Sequence, residues 1–122
     1  MKFYSRRLVM PEHLNGANRL FGGALLSWVD EESYIFARCT LSHPRMVTRF
    51  MSEVNFVSAG EQGDVIEFGI ETVSMGRTSI TLACEVRNID SGKVIITIDK
   101  IVLVAVDEEG EPVAHQGSAK AV

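Results

Sequence analysis

Residues 22–39 form the one segment of this 122-residue chain that is apolar nearly all round at helical period. Ala24, Leu25, Leu26, Trp28, Val29, Tyr34, Ile35, Phe36 and Ala37 occupy more than one stripe of such a helix. A helix of that kind is expected to be buried. At 1.5 Å per residue it would run about 27 Å. His43-Pro44 ends it, because the residue before a proline avoids the α region.

The remainder reads as strands. Residues 2–10 form a first strand stopped by Pro11, and 12–20 a loop. Residues 45–57, 64–73, 79–88 and 93–106 follow as strands, with turns at 60–63, Met75-Gly76-Arg77 and Asp90-Ser91-Gly92. Alternation sets Ile66, Phe68 and Ile70 on one face against Glu67 and Glu71, and puts Ile80, Leu82, Cys84 and Val86 together. The order predicts an α+β domain, a curved antiparallel sheet wrapped around one long central helix. On the last strand both faces are apolar: Ile96, Val102 and Val104 on one, Ile95, Ile101 and Leu103 on the other. One face can cover the helix, and the other is expected to need a neighbouring subunit. Residues 107–122 read as a loose polar tail.

Composition narrows the partners. The formal net charge is −4 with the two signs interspersed, which argues against a nucleic-acid groove and a polybasic membrane patch. The longest apolar runs are broken by Asp99-Lys100 and are too short to cross a bilayer. No apolar h-region follows the N-terminal residues, and Cys39 and Cys84 lie far apart, so a reduced, cytoplasmic chain is expected. Both cysteines read as core residues. His13, His43 and His115 show no metal spacing, and neither a Gly-x-Ser-x-Gly elbow nor a phosphate loop occurs.

Candidate chemistry collects around the start of the helix. Asn15-Gly16-Ala17-Asn18-Arg19-Leu20-Phe21 leads into Gly22-Gly23. Free N–H groups at a helix start attract developing negative charge, and glycine lets a ligand approach them. Asp30 is a carboxylate inside an apolar helix and so a candidate base or nucleophile, with a partly exposed helix aspartate as the alternative. Glu31 and Glu32 read as solvated. The Asn15 amide could hold a carbonyl oxygen or water, or simply shape an Asn-Gly turn. Gly22 and Gly23 could equally serve close packing. Arg77, Thr78 and Ser79 could grip a phosphate or pantetheine, or form a plain turn.

Taken together and in order, Pro11…Asn15, Phe21-Gly22-Gly23, Leu25-Leu26…Asp30-Glu31, Val47-Thr48, Asn55-Phe56, Gly63-Asp64, Gly76-Arg77-Thr78-Ser79 and Val104…Asp107…Gly110-Glu111-Pro112 resemble the hotdog-fold acyl-CoA thioesterases, in the cytosolic acyl-CoA hydrolase branch. Asn18 stands where that branch more often has glycine. The resemblance implies one hotdog domain over residues 1–112 followed by a polar tail, 113–122. It implies a homodimer, usually built further into a hexamer, whose site joins Asp30 of one subunit to Asn15 of the other. Gly23 and Gly22 match the oxyanion-binding amides, and Arg77, Thr78 and Ser79 a region that meets coenzyme A. The implied reaction is hydrolysis of acyl-CoA to free acid and coenzyme A. It uses no cofactor or metal, coenzyme A being part of the substrate. A hydratase or dehydratase of the same fold would need a histidine working with a carboxylate, for which only His13 lies near. A non-catalytic acyl-CoA-binding module is the other reading.

Overall fold

A computed structural model describes residues 1–115. β1 (Lys2–Leu8) comes first, then α1 (Gly22–Leu41), β2 (Met46–Met51), β3 (Val54–Phe56), β4 (Val65–Met75), β5 (Ser79–Asn88) and β6 (Val94–Ala105). All six strands form one antiparallel sheet in the order β1-β4-β5-β6-β2, with β3 also paired to β6. The sheet curves around α1, as the element order predicts.

The helix is longer than its sequence signal. It runs to Leu41, and Ser42 closes it in the left-handed conformation (φ +52°) ahead of His43-Pro44. It is not buried all round. Leu25, Trp28, Val29, Ser33, Ala37 and Leu41 form one buried stripe, whereas Ile35 is 47 % exposed and Cys39 is exposed. One sheet of one chain can cover only one side of a helix. Cys39 is therefore not a core residue but borders a small apolar cavity of about 160 Å³ between α1, Tyr4 and Phe68. Cys84 is core, and burial, with the charges of Glu32 and Glu85, pushes its thiol up to about 12.

The long strand expected over 45–57 is two strands. The Ser52 N–H donates to the Lys100 carbonyl, and the Lys100 N–H to Ser52 Oγ. A side chain thus replaces a ladder carbonyl, and the strand steps between β2 and β3. Most apolar side chains of β6 are already buried within the single chain, so this strand by itself does not call for a neighbour, although Val102 stays half-buried. Ile95, Ile96, Ile98, Ile101, Leu103 and Val104 are all buried within the single chain. Residues 57–60 border Ile95 at one end, with Val57 N–H bonded to its carbonyl. At the other end Val113 N–H bonds the Ala105 carbonyl. Exposed apolar side chains lie instead at Phe21, on edge strand β2 (Val47, Phe50) and at Phe56-Val57.

The segment after β6 is not loose from Asp107 onward. Val106 and Pro112 pair across a turn at Asp107–Gly110, and His115 is buried against the sheet. Residues 116–122 of the expected tail lie outside the described residues.

Arg7 ties the edge strand to the helix. Its Nη2 donates to Glu31 at 2.7 Å and Glu32 at 3.1 Å, and the guanidinium sits 5.5 Å from the centre of the Trp28 ring. Glu31 and Glu32 are thus paired rather than simply solvated, and the Glu32 side chain is only 14 % exposed. Burial works against the Arg7 charge, but the bonds to both glutamates outweigh it and hold the guanidinium above its ordinary value. Arg7→Ala strands the half-buried Glu32 carboxylate. It is expected to cost about 2 kcal/mol, the scale of a lost hydrogen bond to a charged group, read as a lower urea midpoint with unchanged m-value.

Candidate active site

The loop before α1 is built by Asn15. Its Oδ1 accepts the N–H groups of Ala17 (2.9 Å) and Arg19 (3.1 Å), and its own N–H and C=O bond Arg19 and Asn18. Turn-forming is thus a real role of this residue, and it is carried by the oxygen alone. With Oδ1 held, the amide NH₂ is the end left to face a ligand. Asn18 adopts φ +63°, the left-handed region that glycine favours and asparagine tolerates. The loop therefore keeps its shape with asparagine at that place.

Phe21 caps α1 without a side-chain hydrogen bond. Among the described residues the N–H groups of Gly22, Gly23 and Ala24 find no acceptor, and Leu25 N–H is the first to close a helical turn. Such free amides are ready donors to an oxyanion. Packing is close at Gly23 and leaves room at Gly22. A Cβ on Gly23 would come within 2.8 Å of the Phe21 ring, and one on Gly22 within 3.4 Å of Phe56. Asn15, Gly22, Leu25, Phe56 and residues 57–60 line a hollow of about 460 Å³.

Asp30 lies elsewhere. It is exposed on α1, and Thr48 Oγ1 donates to its Oδ1 at 2.6 Å. With Ser27, Tyr34, Met46 and Val47 the pair lines a separate, shallow hollow of about 590 Å³. Gly23 and Asp30 are seven residues apart, close to two full turns, so they share a side of the helix but lie about 10 Å apart along its axis. One thioester carbonyl cannot reach both within a single chain. Thr48, on the edge strand β2, is the residue whose role the sequence does not reveal. Its contact with a helix residue 18 positions earlier exists only in the fold.

Arg77, Thr78 and Ser79 turn the chain between β4 and β5. Gly76 N–H bonds the Ser79 carbonyl, and a Cβ on Gly76 would strike Ser79 Oγ at 2.6 Å. Ser79 pairs with Val104, which pairs with Val47 next to Thr48. The turn is therefore at the same end of the sheet as the Asp30–Thr48 hollow, two strands away, about 10 Å.

The histidines are engaged individually with backbone. His13 Nδ1 accepts Met10 N–H and its ring stands edge-on to Trp28, the His43 ring bonds the Val106 carbonyl, and the His115 ring bonds the Ser79 carbonyl.

Residues 17–95 match the family profile of the thioesterase superfamily. The chain belongs to that superfamily. An uncharacterized acyl-CoA thioester hydrolase of Buchnera aphidicola is 34 % identical over 117 residues, covering 91 % of this chain and 86 % of the relative. The acyl-CoA thioester hydrolase YciA of Salmonella typhimurium is 32 % identical over 113 residues, covering 88 % and 84 %. A hexameric hotdog-fold thioesterase of Campylobacter jejuni, Cj0915, superposes with a TM-score of 0.82 at 29 % identity over 96 % of this chain and 92 % of that one. The fold is the hotdog fold, and this member of the superfamily is a thioester hydrolase.

The Thr48–Asp30 bond fixes the orientation of an exposed carboxylate. Thr48→Val keeps the shape and removes the donor. The expected result is a kcat about tenfold lower, the rate equivalent of one lost hydrogen bond, with Tm within about a degree because the pair is exposed. Steady-state thiol release and a thermal melt check it.

Proposed function

We propose that the chain hydrolyses acyl-CoA to free acid and coenzyme A in a homo-oligomer, a dimer built further into a hexamer, with each active site shared by two subunits. One subunit brings the Asn15 loop and the amides of Gly23 and Gly22, and the other brings Asp30 held by Thr48. The observation that carries the shared site is the separation of these groups within one chain. Asn15 and Gly22 line one hollow and Asp30 another. The exposed apolar side chains of Phe21, Val47, Phe50 and Phe56 lie at the helix start and on β2 and β3, and a partner subunit would cover them.

In this reading the thioester carbonyl oxygen meets the free N–H of Gly23, with Gly22 beside it. Each well-placed donor to the oxyanion supplies roughly 3 kcal/mol. Asp30 acts on the carbonyl carbon, as base for a water or as nucleophile through an anhydride. The Asn15 NH₂ orients the water or the carbonyl. The thiolate of coenzyme A is a good leaving group, so the chemistry calls for neither metal nor cofactor. Arg77, Thr78 and Ser79 meet the coenzyme A end of the substrate, with the guanidinium suited to phosphate. No helix among the described residues is long and apolar enough to cross a membrane. With two free thiols the chain suits the cytoplasm.

Asp30→Asn keeps the shape and can still accept from Thr48, so the fold should be unaffected. We expect kcat to fall about 100-fold or more, the scale of lost general-base catalysis. Activity within threefold of the parent would remove Asp30 from the mechanism.

The shared site has its own test. Asn15→Ala and Asp30→Asn subunits each form inactive homodimers. A mixed dimer carries both lesions in one site and neither in the other. With random pairing about half the dimers are mixed, so about one quarter of parent activity should return on co-refolding. Confirmed subunit exchange with no recovered activity would place the two residues in different sites.

A further inference from the structure

We infer that His115, beyond the last strand, is a positioning residue for the substrate's coenzyme A moiety: it locks the Arg77–Ser79 turn into the shape that presents its donors. This rests on the proposed role of that turn. His115 is 3 % exposed and makes two backbone bonds to the turn. Its N–H donates to the Arg77 carbonyl at 3.1 Å, and its Nε2 bonds the Ser79 carbonyl at 2.8 Å. A carbonyl oxygen can only accept, so Nε2 carries the proton in this contact. Between them, Ala105 N–H takes the Thr78 carbonyl at 2.7 Å. Three successive carbonyls of the turn are thus drawn in toward β6 and the segment that follows it.

Peptide geometry turns that into a consequence for ligand binding. In a trans peptide plane the C=O and the next N–H point in opposite directions. Holding the Arg77 carbonyl inward therefore aims the Thr78 N–H outward, and no described backbone or side-chain group accepts it. The Arg77 side chain is exposed and makes no ion pair among the described residues. One outward amide, one guanidinium and the hydroxyl of Thr78 are then displayed together, a donor set for a phosphate. A plain four-residue turn would leave this display to thermal averaging.

The test uses two substrates with the same acyl group, butyryl-CoA and butyryl-N-acetylcysteamine, the second lacking the nucleotide and its phosphates. Arg77→Ala should raise KM for butyryl-CoA and leave KM for the short thioester unchanged. His115→Leu should show the same split, with KM for butyryl-CoA up about fivefold, the scale of a lost neutral hydrogen bond, and kcat within twofold. His115→Gln places an amide N–H close to the Nε2 position and should bring KM back to within twofold of the parent. His115→Asn, whose amide is too short to reach Ser79, should behave as His115→Leu and replaces it if the leucine variant fails to fold. If Arg77→Ala raises KM for butyryl-CoA while a folded His115→Leu or His115→Asn does not, the positioning role is wrong and the turn's role stands. If Arg77→Ala changes neither KM, the turn does not meet coenzyme A and the inference falls with it. An equal loss on both substrates in the His115 variants, unrescued by glutamine, would reduce His115 to a core contact.

Discussion

Leu25, Trp28, Val29, Ala37 and Leu41 press one stripe of α1 onto the curved sheet, and where that stripe lies decides where every functional group points. Each fully buried Leu or Val contributes about 2 kcal/mol, so the helix cannot rotate without a large loss. With the stripe held, Gly22 at the helix start lines the Asn15 hollow, and Asp30 emerges on β2's side of the helix, within reach of Thr48. A rotation of one residue, about 100°, would turn Asp30 out of reach of its partner.

The run Asp30-Glu31-Glu32 illustrates how the fold sorts three adjacent carboxylates. Arg7 on β1 takes Glu31 and Glu32 from one side of the helix, and Thr48 on β2 takes Asp30 from the other. Two carboxylates share one cation packed near Trp28. The third, exposed on the helix, keeps only a neutral hydroxyl donor. Opposite edge strands of one sheet thus hold successive residues of one helix, which is possible only because the sheet curls around it.

The loop before α1 and the segment after β6 are drawn into the same scheme. The Asn15 loop closes on itself and on Gly60 through Leu20 N–H, while His115 closes on the turn between β4 and β5. Both are irregular segments, and in both nearly every backbone polar group near the site has a partner. Among the described residues the amides of Gly16, Gly22, Gly23, Ala24, Arg77 and Thr78 are left over.

Much of this was legible from the residues. The single helix, its break at His43-Pro44, the alternation in residues 64–88 and the turn at Asp90-Ser91-Gly92 follow from local periodicity and turn chemistry, which depend on neighbours in the chain. Asn15, Gly22, Gly23 and Asp30 stood out as candidates on equally local grounds, a polar loop and two glycines at a helix start and a carboxylate on a largely apolar helix. The interruption at Ser52, the exposure of Ile35 and Cys39, the burial of most of β6 within one chain, the pairing of Glu31 and Glu32 with Arg7, and the contacts of Thr48 and His115 were not legible. Each depends on residues 18 to 63 or more positions apart being brought together, or on which side of an element happens to be covered. Sequence alone determined which segments are helix or strand and which residue types could do chemistry. Only the tertiary structure decided which of them meet, because a hydrogen bond acts over about 3 Å and no local pattern records what lies across the sheet.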